Sequence, residues 1–348
     1  MGIGERMVRN YLVTGGAGFI GSNYVHRLIQ RGEKVTIYDN LSRSGAPRNI
    51  AWLEETFGKD AFRLIVGDLR NADLITESAN HADIILHLAG QVAVTTSVTN
   101  PRDDFEANAL GTFNALEAAR LSERNPIFIY ASTNKVYGGM DDVELVEETT
   151  RWRYKDLLEG CPETQPLDFH SPYGCSKGTG DQYVRDYARI YGLRSVVFRQ
   201  SCIYGPRQFG VEDQGWLAWM MIAAVTGRPI TIYGDGKQVR DVLHVDDLLN
   251  AYDVAVEKID HARGQVYNVG GGTRNVLAVW TEFGPILEKL LGREVEVART
   301  DWRPGDQRVF YADFGKARRE LDWEPKIDLE EGLELLFNWV QENKSLFQ

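Results

Sequence analysis

A tyrosine and a lysine stand four residues apart in the chain, at Tyr173 and Lys177. On a helix, residues i and i+4 share one face, so the lysine ammonium can lie beside the phenol. A free phenol has a pKa of about 10, and a neighbouring positive charge favours its ionised form. The pair therefore predicts a base that takes a proton from a hydroxyl group near neutral pH. The same spacing is common on exposed helices, so this interpretation depends on the rest of the chain.

A glycine-rich turn lies far upstream, with Gly15, Gly18 and Gly21 spaced three apart. It follows a short apolar segment that predicts a strand, and it leads into a helical pattern. Glycine permits the tight turn and lets backbone N–H groups approach a pyrophosphate, while the positive end of the following helix points at the phosphates. The turn, which includes Phe19 and Ile20, therefore predicts a site for a dinucleotide that accepts a hydride.

Asp39 ends the next predicted strand. A carboxylate at this position accepts hydrogen bonds from the adenosine ribose and repels a 2′-phosphate, which favours NAD over NADP. Arg43 lies close by in the sequence and makes that preference less strict. The other residues predicted to bind the cofactor follow the ends of the second, third and fourth strands: Asn40, Ser42, Arg43, Asp68, Leu69, Leu88, Ala89 and Gly90.

Strand and helix patterns alternate along the first part of the chain. Such alternation with short turns is typical of parallel strands joined by right-handed crossovers. It predicts an α/β fold with a doubly wound parallel (Rossmann) sheet that has helices on both faces. The predicted strands are 11–13, 35–38, 62–66, 84–88, 127–131 and 195–198, and the predicted helices are 22–31, 74–79, 105–121 and 173–191.

After Arg199 the aromatic and glycine content rises and the alternation stops. This change predicts a smaller mixed α/β lobe at the C-terminal end. A further segment, 138–166, predicts a long loop near the entrance to the site. The smaller lobe is expected to contain one short strand, a charged loop and three helices, at 230–233, 234–241, 245–257, 279–291 and 329–341.

Two domains follow from these patterns. We expect residues 7–199 to form the NAD-binding domain, with 243–268 returning to it. Residues 200–242 and 269–348 are expected to form the lobe that binds the substrate. In folds of this class the ligand lies outside the carboxyl ends of the strands, which here places the substrate between the two domains.

Composition excludes several classes of protein. A net charge of −11 and a pI near 5.2 over 348 residues argue against binding to nucleic acid or to a membrane surface. The three cysteines, Cys161, Cys175 and Cys202, fit neither a disulfide framework nor a metal site, which indicates a reducing compartment. The longest apolar run, 216–225, is too short to span a bilayer. We therefore expect a cytoplasmic protein without a metal site.

The segment Ser-Thr-Asn-Lys-Val-Tyr-Gly at 132–138, taken with the glycine turn and the Tyr-x-x-x-Lys spacing, resembles the extended short-chain dehydrogenase/reductase family of nucleotide-sugar epimerases and dehydratases. The resemblance runs from about residue 7 to 339, except for 139–163. It implies that Thr133 completes a triad with Tyr173 and Lys177. Strings that narrow it to epimerases acting on CDP-sugars at C2 are 170–178, 207–209, 213–216, 236–241 and 306–310.

The resemblance also implies a reaction. Tyr173, as phenolate, removes the proton of a sugar hydroxyl while the hydride on the same carbon passes to NAD⁺. The keto sugar then rotates within the site, and the hydride returns to the opposite face of the same carbon. Lys177 lowers the pKa of the phenol and binds the nicotinamide ribose, and Thr133 bonds the reacting oxygen. NAD is regenerated in each turnover, so it is expected to stay tightly bound.

Two positions distinguish this chain from the dehydratases of the family, which carry Asp and Glu directly after the Thr. Here Asn134 and Lys135 occupy them. An amide and an ammonium cannot run the proton transfers of water elimination in the same way as two carboxyl groups, so dehydration becomes a minor alternative. An epimerase acting at C4 of UDP-glucose-type sugars and a non-catalytic NAD sensor also stay open.

The resemblance assigns Arg240 and Arg303 to the substrate diphosphate, because a guanidinium fork suits phosphate oxygens. Asp306 is expected to accept from the substrate ribose. We also expect a homodimer, formed through the helices at 105–121 and 173–191. The other residues predicted to line the substrate pocket are Gln91, Thr133, Asn134, Gln200, Ser201, Gln208 and Gln214.

Overall fold

A computed structural model describes residues 7–302 and 307–347. Its centre is a seven-stranded parallel sheet in the order β12-β8-β5-β4-β1-β2-β3. The strands of this sheet are β1 Asn10–Thr14, β2 Lys34–Asp39, β3 Arg63–Val66, β4 Ile84–His87, β5 Ile127–Thr133, β8 Arg194–Gln200 and β12 Val266–Val269. The remaining strands are β6 Leu145–Glu147, β7 Trp152–Tyr154, β9 Cys202–Tyr204, β10 Ile230–Tyr233, β11 Val239–His244, β13 Val276–Ala278, β14 Val297–Thr300 and β15 Val309–Phe310.

Helices cover both faces of this sheet, as the doubly wound prediction requires. The inner strands are apolar along their length, because each is buried on both faces; all four residues of β4 are buried. One face packs against α1, α2 and α9, and the other against α3, α6 and α7. The helices are α1 Phe19–Gln30, α2 Ala46–Phe57, α3 Ala72–Ala79, α4 Val94–Thr99, α5 Pro101–Phe105, α6 Gly111–Leu121, α7 Pro172–Ile190, α8 Trp216–Thr226, α9 Val245–Glu257, α10 Ile259–Ala262, α11 Phe283–Leu291, α12 Gly315–Leu321 and α13 Leu329–Glu342.

Strand β1 lies between β2 and β4, so the connections run outward in opposite directions from this point. A crevice opens at such a switch point, outside the carboxyl ends of the strands. Thr14, Asp39, Thr133 and Gln200 end β1, β2, β5 and β8. The fold therefore brings residues from distant parts of the sequence to one edge of the sheet.

After β8 the chain leaves the central sheet, and it returns to the sheet with α9 and β12. α9 packs on the same face as α1, and β12 pairs in parallel with β8 at the edge. A second apolar core lies apart from the sheet and includes residues of α8, α11 and α13. The boundaries of the two functional domains remain a prediction. In the described part of the chain, no helix has the length and apolarity to cross a membrane.

Three predictions for the smaller lobe were wrong. The expected strand at 230–233 is present as β10, but β9, β11, β13, β14 and β15 were not expected, because most of these strands are too short for a periodic signal. Residues 239–241, expected in a charged loop, begin β11, in which all six residues are buried. Arg240 and Asp241 make this segment look polar in sequence, but both side chains have hydrogen-bond partners in the interior. The helix expected at 279–291 begins only at Phe283, because 276–278 form β13 and Trp280 donates its backbone N–H to Gly236 at 2.9 Å.

The loop expected at 138–166 contains the antiparallel hairpin of β6 and β7. Arg151 pairs with Glu282 at 2.7 Å, and the Trp152 indole donates to Asp235 at 2.9 Å. The Tyr154 hydroxyl donates to the carbonyl of Val309 at 3.0 Å. The segment is therefore fixed to the smaller lobe. Strands of three residues are too short to give a periodic signal in sequence.

An ion pair inside the protein fixes α7 to the sheet. Two nitrogens of Arg199 on β8 each lie 2.9 Å from a carboxylate oxygen of Asp181 on α7, and the side chains are 3% and 0% exposed. The Ser132 hydroxyl donates to the same carboxylate at 2.8 Å. A buried charge that loses its partner is costly, because water cannot replace that partner.

Asp181→Asn should therefore lower the free energy of unfolding by roughly 3–5 kcal/mol, since it leaves Arg199 buried with a neutral partner. Urea denaturation measures this loss. The matched control is Asp186→Asn on the exposed side of the same helix, which should change the value by less than about 0.5 kcal/mol. If both variants changed the free energy of unfolding by the same small amount, the buried ion pair would not stabilise the fold.

Candidate active site

A cavity of about 560 Å³ lies along the carboxyl ends of β1 to β4. Every residue that the sequence predicts for cofactor binding, apart from Tyr173 and Lys177, lines it: Gly15, Gly18, Phe19, Ile20, Gly21, Asp39, Asn40, Ser42, Arg43, Asp68, Leu69, Leu88, Ala89 and Gly90. The sequence prediction missed several other lining residues, which come from distant segments: Tyr38, Arg70, Thr96, Asp103, Arg207 and Phe209.

The glycine turn has the geometry of a phosphate site. Gly15 has a φ of +70°, and a Cβ there would lie 2.7 Å from the backbone nitrogen of Ala89. A Cβ on Gly21 would collide with the carbonyl oxygen of Gly15. Helix α1 starts directly after Gly18, which provides no side-chain cap, so its first N–H groups are left for a ligand. These residues fit the pyrophosphate of a dinucleotide.

Asp39 has the environment expected of a ribose ligand. Its two carboxylate oxygens accept from the backbone N–H groups of Ala17 at 3.0 Å and Leu41 at 2.8 Å. Burial raises the pKa of Asp39, and these two amides oppose the rise. The hydrogen bonds fix the carboxylate at the cavity wall. A fixed carboxylate fits the two ribose hydroxyls of NAD and repels a 2′-phosphate.

Two contacts of the cavity wall involve residues of the loops after β2 and β3. Arg70 binds both carboxylate oxygens of Asp68, at 2.9 and 2.7 Å, and thereby holds the pKa of Asp68 well below its usual value. Arg43 donates to the side-chain oxygen of Gln214 at 2.6 Å. Gln214 belongs to the loop before α8, so this bond joins the two sides of the cavity.

Thr133 and Tyr173 meet beside this cavity. Thr133 ends β5, and Tyr173 lies in the first turn of α7, which Ser171 caps by accepting from the Gly174 N–H at 3.2 Å. Burial raises the pKa of Tyr173 to about 12, while a hydrogen bond with Thr133 and the charge of Arg43 oppose the rise. The two hydroxyls that the sequence predicts to act together therefore lie close to one another, and the phenol is mainly un-ionised.

Lys177 lies one turn further along α7 and is only 6% exposed. Burial lowers its pKa to about 7, and the ammonium lies 4.4 Å from the centre of the Tyr130 ring. The causes of the Tyr173 shift are burial, Thr133, Asp104 and Arg43, and the expected effect of Lys177 on the phenol stays a prediction.

The residues predicted for the substrate fall into three groups. Gln91, Gln208 and Gln214 line the same cavity as the cofactor residues. Asn134 accepts from the Thr133 hydroxyl at 3.3 Å and so lies next to the hydroxyl pair. Arg303 and Asp306 lie outside the described residues.

Three other predicted substrate residues bind protein groups. Gln200 donates to the Tyr252 hydroxyl at 2.6 Å, and the Ser201 hydroxyl donates to the carboxylate of Asp241. The guanidinium of Arg240 donates to the carbonyls of Val239 and Gln307, both at 2.7 Å. Their expected contacts with substrate therefore stay predictions.

The resemblance described above places Asn134 and Lys135 at the positions of the acid and base of the dehydratases, and this correspondence stays a prediction. The Lys135 ammonium lies 3.1 Å from the side-chain oxygen of Gln307. The Gln307 amide in turn donates to the carbonyl of Gly138. This edge of the site thus presents an amide and a cation, with no carboxyl group at either position.

Comparison with known proteins agrees with this geometry. The family model described as GDP-mannose 4,6 dehydratase matches residues 12–336. The chain belongs to this family, whose members modify nucleotide sugars. A CDP-paratose 2-epimerase of Salmonella typhi is 44% identical and is covered over 98% of its length by 94% of this chain. A dTDP-glucose 4,6-dehydratase of Streptomyces antibioticus is 33% identical, with 97% of this chain and 94% of the relative covered.

Solved structures show the same fold. The UDP-glucose 4-epimerase of Thermotoga maritima with UDP-glucose has a TM-score of 0.81 and 32% identity, covering 96% of this chain and 99% of that one. The dTDP-glucose 4,6-dehydratase DesIV of Streptomyces venezuelae, with NAD and TYD bound, has a TM-score of 0.81 and 29% identity, covering 97% and 98%. The predicted fold class and family are confirmed. The findings support an NAD-dependent nucleotide-sugar epimerase.

The buried lysine should reduce the stability of the protein. The pKa of Lys177 falls from 10.5 to about 7 on folding, and one pKa unit corresponds to about 1.36 kcal/mol, so the cost at low pH is roughly 4–5 kcal/mol. Lys177 has a lower pKa in the folded protein than in the unfolded chain, so its protonated form destabilises the folded state. The cost therefore grows as pH falls toward 7 and stays constant below it.

Lys177→Met should accordingly be more stable than the parent protein at pH 6, with a gap that narrows as the pH is raised above 7. Urea unfolding over a pH series measures the gap. Lys289→Met, at a lysine whose side chain is 79% exposed, is the control and should show no such trend. A gap that is independent of pH would show that Lys177 is not penalised for its charge.

Proposed function

We propose that this protein is an NAD-dependent epimerase that interconverts CDP-paratose and CDP-tyvelose by transient oxidation at C2. The observation that carries the proposal is the 44% identity, over 94% of the chain, to the CDP-paratose 2-epimerase of Salmonella typhi. The amide and ammonium side chains of Asn134 and Lys135 also favour epimerisation over dehydration.

Tyr173 is the proton acceptor in this proposal. Its phenol lies close to Thr133 and is buried, which limits its access to water. When bound, NAD accepts the hydride, and its positively charged ring favours a phenolate nearby. Thr133 orients the reacting hydroxyl, and Tyr173 returns the proton after the sugar has turned.

The nucleotide part of the substrate has to stay in place while the sugar turns. Arg240 and Arg303 are proposed to hold the diphosphate, and Asp306 the ribose. Arg240 is buried and fixed by two backbone carbonyls, which supports a rigid anchor. The glutamines that line the cavity, Gln91, Gln208 and Gln214, are proposed to bind the sugar or its diphosphate.

Incubation with a panel of nucleotide sugars, without added cofactor, tests this function. NMR should show inversion at C2 of the CDP-sugar, and in deuterated water the product should carry no deuterium at C2, because the hydride returns directly. Inversion only at C4 of a UDP-sugar would support the alternative 4-epimerase and contradict the proposal.

Tyr173→Phe removes the acidic proton and should lower turnover at least about a hundredfold, with NAD still bound. The matched control, Tyr183→Phe, removes an exposed hydroxyl from the same helix and should keep activity. An NAD sensor without catalysis would instead tolerate Tyr173→Phe. Bound NAD is measured after denaturation of each purified variant.

We further propose a homodimer formed by α6 and α7. These helices expose Phe113, Leu121, Tyr183 and Ile190, and the rings of Phe113 and Tyr183 pack edge to face with centroids 6.0 Å apart. Exposed apolar residues grouped on one surface mark an interaction site. We expect a dimer in sedimentation equilibrium.

Phe113→Asp should shift this assembly toward the monomer, because a charge would be buried in the interface. Leu158→Asp is the control, since Leu158 is 65% exposed but lies in the segment between β7 and α7. A monomeric parent protein, or equal effects of the two substitutions, would contradict the interface.

A further inference from the structure

Asp104 is a buried carboxylate that has no role in the function proposed above. It lies on α5 and is 1% exposed. Its Oδ1 accepts from the side-chain amide of Asn108 at 3.2 Å. Its Oδ2 makes no hydrogen bond of ordinary geometry with residues 7–302 and 307–347, although the Ser176 hydroxyl lies nearby. A buried carboxylate of this kind is costly unless a nearby charge stabilises it.

Asp104 is connected to α7 through its neighbours. The helical run that starts with α5 continues through a π-helical turn at 106–110 into α6. The amide of Asn108, in this turn, also donates to the hydroxyl of Ser176 at 3.1 Å. Ser176 directly precedes Lys177. π-Helical turns occur frequently at functional sites, because they change which side chains face inward.

Charged and titratable groups face Lys177 from several elements. Asp181 lies one turn further along α7, but Arg199 already binds both of its oxygens. His87 on β4 is buried between the hydroxyls of Thr14 and Thr112, and burial lowers its pKa to about 3, so it is neutral at physiological pH.

Two groups without negative charge also face the ammonium. Tyr130 on β5 presents the face of its ring, and the Tyr173 phenol lies one turn back on α7. Asp104 on α5 is therefore the carboxylate near Lys177 that no arginine neutralises, within the part of the chain that the structure describes.

We propose that Asp104 is a positioning residue that keeps Lys177 in its charged form beside Tyr173 during the reaction. The role rests on the proposed function, because it matters only if Lys177 has to be an ammonium when Tyr173 gives up its proton. Asp104 acts through Lys177, because it is not among the residues that line the cavity.

The electrostatics agree in direction. Burial lowers the pKa of Lys177, and Asp104 is the first of the groups that oppose this fall. Burial likewise raises the pKa of Asp104, and the nearby Ser176 hydroxyl and Lys177 ammonium oppose that rise. Asp104 also repels a phenolate at Tyr173 directly. Because this repulsion has the opposite sign, the effect of Asp104 has to be measured at Lys177 itself.

Substitution of Asp104 by Asn keeps the shape of the side chain and removes its charge. NMR of protein labelled with ¹³C at lysine Cε follows the ionisation of Lys177, whose signal is identified by its loss in Lys177→Met. We expect a midpoint near pH 7 in the parent protein. In Asp104→Asn it should fall by about one pH unit, a roughly tenfold loss of proton affinity. An unchanged midpoint overturns the proposal.

Glu106→Gln is the matched control, because it removes one negative charge from the same helical run. Glu106 pairs with Arg102 at 2.9 Å on the surface, so the midpoint of Lys177 should stay that of the parent protein. A shift as large as that of Asp104→Asn would mean that only the net charge matters, and would overturn the assignment. If Asp104→Asn fails to fold, Asp104→Ser, which is smaller and neutral, serves the same comparison.

The pH profile of turnover provides a second measurement. In Asp104→Asn the loss of kcat at alkaline pH should move to lower pH by the same amount as the Lys177 midpoint. If Asp104 had only a structural role, its substitution would lower kcat at every pH and would leave the alkaline decrease of kcat at the same pH. If the parent protein epimerises no nucleotide sugar, the proposed function fails, but the NMR midpoints still decide whether Asp104 controls the charge of Lys177.

Discussion

The removal of the Lys177 ammonium from water is the constraint around which the active site is organised. A buried ammonium tends to lose its proton, and its pKa in this structure is about 7. Hydride transfer and phenolate chemistry, however, proceed best where water is excluded. The site resolves this conflict by surrounding one cation with an aromatic ring and a carboxylate. The Tyr130 ring faces the ammonium at 4.4 Å, and the charge of Asp104 opposes the fall in the lysine pKa.

Helix α7 has to be fixed for this arrangement to work, because it carries both Tyr173 and Lys177. Ser171 caps its first turn, and Asp181 ties its middle to Arg199 on β8. Thr133 lies at the end of β5, the strand that pairs with β8, and its hydroxyl lies close to the Tyr173 phenol. The parallel sheet thus sets the distance between groups that lie far apart in the sequence. Its apolar interior provides the rigidity that such positioning requires.

Much of the cofactor cavity could be predicted from sequence, because its signals are local. The glycines at 15, 18 and 21 and the aspartate that ends β2 depend on backbone geometry within a few residues. The parts that sequence reasoning missed depend on distant contacts. Phe209 reaches the cavity from the loop before α8, and Gln200 and Ser201 bind Tyr252 and Asp241. The sequence prediction did not find strand β11, because its polar residues are buried and paired inside the protein. The periodicity of apolar residues gives no signal for such a strand.

The hydrogen bond between Arg43 and Gln214 bears on how the dinucleotide enters and leaves the cavity. These two side chains line the same cavity from separate loops and meet at 2.6 Å. A dinucleotide can pass between these loops only when they part. In the proposed reaction the oxidant is regenerated in each turnover, so such passages are not required. The proposed reaction therefore lets the bond between Arg43 and Gln214 stay closed from one turnover to the next.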